Sequence, residues 1–394
     1  MNKKIKIITI SLLLISTFVL PLVGCSKKAK TSVPTATATT ATTDQTSMAA
    51  TYKDVVFANV TNDNGAKKDL KMNIFKPKGV TKATPVFVYI HGGGWAMGDY
   101  QGDDAPKDAK APKDTKAPKD AKATKDAKAS PSKGQPTNQM SGDNASAYKI
   151  FKGIVNNGIT FVSIDYRLNS EAAFPAQIYD VKGAIRYIRA HAKEYGLDPD
   201  KIAVVGTSAG AHLANELATT GDVKELEGNE GGNLNYSSKV MACVDFYGPT
   251  DLLTMSTEMD PSLQSHKDAV EAHDSPSANE SKLLGFSKKG QGVGVLREIK
   301  EKNDTSSPYW DKVKLAELAS PINNVTSDDP PMFIAHGGHD ALVPIQQSLR
   351  FRDALIKAGV ENIFMSNSKG PHGYQGEDVN SAALTWVTKK LLAK

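Results

Sequence analysis

Short apolar runs alternate with longer amphipathic stretches along most of this chain. Val55–Val60 and Leu70–Phe75 flank the turn Asn62-Asp63-Asn64-Gly65 and predict an antiparallel pair of strands. Pro85–Ile90 is almost continuously apolar, as a strand covered on both faces requires. Further strands are predicted over Ile159–Ile164, Ile202–Val205, Val240–Phe246, Met332–His336 and Asn362–Met365. Helical patterns lie between them, over Ala145–Val155, Ala211–Ala218, Ile345–Lys357 and Ser381–Leu392. Another covers Ala176–Tyr195, with Ile178, Val181, Ile185 and Ile188 on one face. Strands alternating with helices predict an α/β class fold: a mostly parallel eight-stranded sheet with helices on both faces. Residues 252–324 have no strand period and several short helical patterns, so they are expected to form a cap or side lobe.

Three segments do not fit this pattern. Residues 1–24 have Lys3, Lys4 and Lys6 ahead of the apolar stretch Ile7–Leu20, which is short for a membrane span and suits a secretory signal. It ends in Leu22-Val23-Gly24-Cys25, similar to the lipobox of bacterial lipoproteins, which implies lipidation at Cys25. That makes residues 25–50, rich in Thr and Ala, a flexible tether, and the protein lipid-anchored on the extracytoplasmic face of the membrane. The third segment, 101–144, contains the tandem hexapeptides APKDAK, APKDTK, APKDAK and ATKDAK over 105–128, a low-complexity insertion expected to be disordered. The folded unit is then a single domain over 51–394, interrupted by this insertion.

Charge changes little in that picture. The chain of 394 residues carries a formal +5, but the repeat alone holds eight Lys against four Asp. The signal and the start of the tether add six more lysines, so the remaining body is net negative. Nothing in this balance points to a nucleic-acid partner. The Lys-rich repeat offers an electrostatic contact for an anionic cell-wall polymer. With Cys25 lipidated, Cys243 is the one thiol left, in an apolar run that predicts an inert core position.

The candidate chemistry centres on Gly206-Thr207-Ser208-Ala209-Gly210, set between an apolar strand and a helical stretch. Strand, G-x-S-x-G, helix is a nucleophile elbow: the serine sits on a tight turn, and side chains two residues away would collide. Acyl transfer then needs a base, a carboxylate to orient it, and N–H donors for the oxyanion. His372, in the turn Lys369-Gly370-Pro371-His372-Gly373 after the last predicted strand, is the expected base. His212 lies too far along the elbow helix, and His266 and His273 fall in the irregular lobe. Asp340, in the turn after Met332–His336, is the expected acid, with Asp245 and Asp251 as rivals. His336, His339 and Asp340 lack a further ligand set, so no metal is expected, nor any other cofactor. The loop His91-Gly92-Gly93-Gly94 predicts oxyanion donors at Gly92 and Gly93, completed by the N–H of Ala209. Trp95 and Tyr247 are candidates for the substrate pocket. The run Gly290-Gln291-Gly292-Val293-Gly294 follows no strand and is not a dinucleotide site.

Taken together, His91-Gly92-Gly93-Gly94-Trp95, Asp165-Tyr166-Arg167-Leu168, Asp180-Val181, Gly206–His212, His336-Gly337 with Asp340, and Gly370–Gly373 resemble bacterial α/β-hydrolase carboxylesterases. The resemblance is to the branch related to hormone-sensitive lipase and to feruloyl and acetyl esterases. It covers about 52–394, and the 101–144 insertion departs from it. The resemblance implies a serine esterase acting on small-molecule or carbohydrate-linked esters, short-chain or aromatic in the acyl group. It gives His91, Asp165 and Arg167 loop-bracing positions. The alternatives are a serine peptidase of the prolyl-oligopeptidase type and a non-catalytic binding protein on the same scaffold.

Overall fold

A computed structural model describes residues 49–102, 148–373 and 375–393. The predicted signal segment with Cys25, nearly all of the tether and the hexapeptide repeats lie outside the described residues.

Eight strands form one sheet: β1 (Tyr52–Thr61), β2 (Lys67–Phe75), β3 (Thr84–Ile90), β4 (Thr160–Ile164), β5 (Leu197–Thr207), β6 (Ala242–Phe246), β7 (Met332–Gly337) and β8 (Asn362–Asn367). Their order is β1-β2-β4-β3-β5-β6-β7-β8. β2 runs antiparallel to β1 and β4, and every other pairing is parallel. All seven residues of β3 are buried, because helices cover both sheet faces. Successive side chains point to opposite faces, which divides the core in two. Val86, Val88, Ile202 and Val204 share one cluster with Val181, Ile185 and Leu213. Phe87, Tyr89, Ala203 and Val205 share the other with Tyr148, Phe151 and Val387.

The predicted elements are present, with shifted ends. β5 begins at Leu197 rather than Ile202, because Leu197 is paired with Thr84 across the ladder. The stretch expected as one helix over Ala176–Tyr195 is two, Ala176–Ala190 and Ala192–Tyr195, parted at His191. The final helix starts at Glu377 rather than Ser381, and Glu377 and Asp378 meet the positive end of its dipole. Helical turns over 148–152 tighten into the 3-10 segment Gly153–Asn157, which stops at left-handed Gly158.

Between β6 and β7 the chain forms the lobe, with helices Met255–Glu258, His266–His273, Asn279–Leu283, Val293–Glu301 and Trp310–Leu318. The lobe is continuous with the main core, since Leu283, Phe286, Val293 and Leu296 belong to the same cluster as β3 and β5. Its polar hub is Asp274, held by Arg297 through two bonds of 2.7 and 2.6 Å and by Ser256 Oγ at 2.7 Å. The glycine-rich run falls at this hub: a Cβ on Gly292 would lie 2.3 Å from the Asp274 carbonyl oxygen.

The two ends of the described chain that bracket the insertion meet. A Cβ on Gly102 would lie 2.5 Å from the Tyr148 ring. Loop-closure entropy between ends so placed grows slowly with length, so a shorter connection changes stability by only ~1–2 kcal/mol. Replacing 103–143 with a short Gly/Ser linker should therefore leave the melting temperature unchanged or a few degrees higher, by calorimetry. A clear fall would show that the insertion supports the fold.

Candidate active site

The elbow lies where β5 hands over to the helix Ala209–Thr219. Ser208 has φ 54° and ψ −123°, a region L-residues rarely occupy. Two close approaches impose it. A Cβ on Gly206 would lie 2.1 Å from the Gly210 carbonyl oxygen, and one on Gly210 would lie 2.2 Å from that of Ile90. Glycine is thus required at both positions for packing, and the serine hydroxyl is held above the ends of the parallel strands.

The structure brings Ser208, His372 and Asp340 together. His372 Nε2 is 3.0 Å from Ser208 Oγ, and its Nδ1–H donates to Asp340 Oδ2 at 2.7 Å. Asp340 is buried, and its Oδ1 accepts the N–H groups of Leu342 and Val343 at 2.9 and 2.8 Å. Burial acts to raise the proton affinity of this carboxyl. The attraction of His372 and hydrogen bonds from His336 and His372 outweigh it, so Asp340 is held well below the usual carboxylate range. His336 is fully buried: its Nδ1 meets Ser348 Oγ at 2.7 Å, and its Nε2–H donates to the Val343 carbonyl at 2.9 Å and lies 3.3 Å from Asp340 Oδ2. Both nitrogens are engaged, Nε2 on the acid turn and Nδ1 on Ser348 of the helix Gln346–Ala358 that follows it. The rival acids are occupied elsewhere. Asp245 accepts from Asn215 and the Gly248 N–H, and Asp251 pairs with Arg350.

The glycine loop turns sharply beside this group, with φ of 114° at Gly93, 60° at Gly94 and 56° at Trp95. His91 stacks on Tyr166 with ring centroids 4.3 Å apart, and the Tyr166 hydroxyl donates to the His91 carbonyl at 3.1 Å. His91 Nδ1–H donates to the Gly92 carbonyl at 2.9 Å. Arg167 grips Asp180 with Nε at 2.9 Å and Nη2 at 2.7 Å. The His91 and Tyr166 contacts brace the loop from behind, whereas Arg167, expected to do so too, ties the chain after β4 to Asp180, the Ala176 carbonyl and Glu230.

Trp95 is tied down as well. Its indole N–H donates to His212 Nδ1 at 3.3 Å, and His212 Nε2–H donates to the Ala319 carbonyl at 2.8 Å. Complete burial lowers the His212 pKa to about 4, which keeps the ring neutral in this relay. A histidine that could not serve as the base thus joins the glycine loop, the elbow helix and the end of the lobe.

Ser208, Ala209, Gly94 and Trp95 line a cavity of about 640 Å³ whose other walls come largely from the lobe. Gly94, left out of the donors expected from sequence, is the glycine of the 92–94 run that reaches it. Tyr247, expected in the pocket, instead packs its ring edge-on against His372 at 4.8 Å and is not among the lining residues. His273 and Glu280 do line the cavity, and no local sequence signal marked them.

The fold and this constellation define an α/β-hydrolase with a serine–histidine–aspartate triad arrangement. The BD-FAE family model matches residues 134–355, more than half of the chain, and the chain belongs to that family. Two curated relatives from Mycobacterium tuberculosis are similar at 31% identity. "Probable carboxylic ester hydrolase LipM" aligns over 53% of this chain and 40% of its own length. "Esterase LipQ" aligns over 59% and 47%. The match thus takes in less than half of either relative. Among solved structures, a truncated carbohydrate esterase from gut microbiota is similar with a TM-score of 0.61 and 26% identity, over 86% of this chain and 95% of that one.

Proposed function

We propose that this protein is a serine carboxylesterase acting on short-chain or aromatic esters, acetyl- or feruloyl-type, with a small-molecule or carbohydrate alcohol. The hydrogen-bonded series from Ser208 Oγ through His372 to buried Asp340 carries the reading. In this mechanism His372 Nε2 takes the Oγ proton as Ser208 attacks the ester carbonyl. Asp340 keeps the imidazole in the Nδ1–H tautomer and stabilises the imidazolium that forms. The N–H of Ala209 and those of the glycine loop, expected from Gly92 and Gly93 and reaching the cavity at Gly94, receive the oxyanion. The tetrahedral intermediate collapses as His372 returns its proton to the leaving alcohol. Water, deprotonated by His372, then cleaves the acyl-enzyme and frees Ser208. The names of the relatives, ester hydrolases and a carbohydrate esterase, support the same reading.

Ser208→Ala or His372→Ala should lower kcat/KM on a soluble acetate ester ~10⁴-fold or more, with unfolding curves like wild type. Asp340→Asn should retain a small residual rate and Asp245→Asn much more. Substantial turnover by folded Ser208→Ala would overturn the mechanism.

The cavity wall sets Gln264, Ser265, Asp268 and Glu271 beside Met255, Leu263, Leu342 and Val343, a mixed lining that suits a short acyl group better than a long alkyl chain, which would have to pass the polar groups. Across p-nitrophenyl esters, kcat/KM should therefore be higher on acetate or butyrate than on palmitate. A rising series would contradict the short-chain reading.

The run Leu22-Val23-Gly24-Cys25 supports a lipid anchor on Cys25 and an extracytoplasmic location. Mass spectrometry of the mature protein should find a lipidated Cys25 at its N-terminus. An unmodified N-terminus at another residue would refute the anchor.

A further inference from the structure

Two observations single out Tyr247, which does not line the cavity yet touches the triad. The first is its backbone. Among the described residues, six that are not glycine have positive φ. Three are Asp54, Asn233 and Asn303, residue types that tolerate that region. The other three are Trp95, Ser208 and Tyr247, all at this site, and Tyr247 has φ 51°. A bulky residue held there is strained, and such strain persists only where the surroundings impose it.

Here they do. The Tyr247 N–H donates to the Ala335 carbonyl of β7 at 2.8 Å, and the Gly248 N–H donates to Asp245 Oδ1 at 2.8 Å. Asp245 is fully buried, and its Oδ2 accepts from Asn215 on the elbow helix at 2.8 Å. Just before the turn, the Phe246 carbonyl accepts the Ser208 N–H at 2.9 Å. The turn after β6 is thus fastened to β7 and to the elbow, and Asp245, the rival for the acid, is one of its fastenings.

The second observation is where the turn puts the ring. Tyr247 meets the His372 imidazole edge-on, with centroids 4.8 Å apart and planes at 66°. His372 belongs to no helix or strand, and Gly373 beside it has φ 114°. The imidazole hydrogen bonds are to Asp340 at Nδ1 and Ser208 at Nε2. Both lie in the plane of the ring, so neither stops it tilting about the line that joins them. A side chain packed against it does. The Ser208 bond is also lost once Oγ carries an acyl group, because Oγ then has no hydrogen to donate. The imidazole must activate water in that state.

Resting on the esterase reading above, we infer that Tyr247 is a positioning residue for the base: its ring, presented by the strained turn, keeps the His372 imidazole aligned for proton transfer, above all in the acyl-enzyme. Asp245 supports it through the turn.

The test measures turnover of a soluble acetate ester per active serine, with serines titrated to completion by a fluorophosphonate. Tyr247→Gly keeps the turn, since glycine takes positive φ freely, and removes the ring. Its kcat per titrated serine should fall ~10–100-fold, the order that a small misplacement of a catalytic group produces, with no rise in KM. Tyr247→Phe, which retains the ring, should recover kcat to within about two-fold of wild type. A purely structural role would lower the melting temperature and the number of titratable serines, but not kcat per serine. Unchanged kcat per serine in folded Tyr247→Gly overturns the inference. So does an equal fall in Tyr247→Phe, which would move the role to the hydroxyl. If Tyr247→Gly does not fold, Tyr247→Leu takes its place, and unchanged kcat per serine there overturns the inference. In each of these cases the esterase reading stands. Wild type inert on every ester would overturn that reading and this inference with it.

Discussion

The strained backbone at Ser208 is the constraint on which the rest of the site depends. A φ of 54° with ψ −123° is unfavourable by of order 1–3 kcal/mol and persists only where the surroundings leave no alternative. Here they leave none. Gly206 and Gly210 let the turn close on itself and on the carbonyls of Ile90 and His91, at distances where any Cβ would clash. Those carbonyls belong to the end of β3 and the start of the glycine loop. The contact that forces the serine outward is thus the one that sets the loop beside it.

The same economy governs the polar ties. Buried polar groups need partners, and here the partners come from different elements. The Trp95–His212–Ala319 relay joins the glycine loop, the elbow helix and the lobe. His336 and the backbone of residues 342 and 343 hold the Asp340 turn. Each tie satisfies buried donors and acceptors, and each also fixes the distance between parts that meet at the cavity.

The lobe is organised on the same principle around Asp274. Its bidentate grip by Arg297 is charge-assisted and largely shielded from water, so it is stronger than a surface pair. Packing Leu283, Phe286 and Leu296 into the main core makes the lobe a fixed wall of the cavity. The mixed polar and apolar face it turns toward Ser208 therefore has a defined shape, which is the condition for selecting among substrates.

Much of this was legible in the sequence because it is local. Short apolar runs marked all eight strands, near-continuous in the central ones because helices cover both faces of the sheet there. The elbow could be read from five residues, because the clash that demands glycine is set by a turn of that length. The order Ser208, Asp340, His372 followed from which strand each one succeeds. Other features needed the tertiary structure. His372 and Ser208 are 164 positions apart, and only the neighbouring placement of β5, β6, β7 and β8 shows that Asp340, not Asp245, meets that imidazole. Tyr247 against His372, Gly94 at the cavity wall, and the buried His273–Glu280 pair were invisible for the same reason. Steric and hydrogen-bonding rules along the chain reach only a few residues, whereas the partners of these groups are set by how distant segments pack.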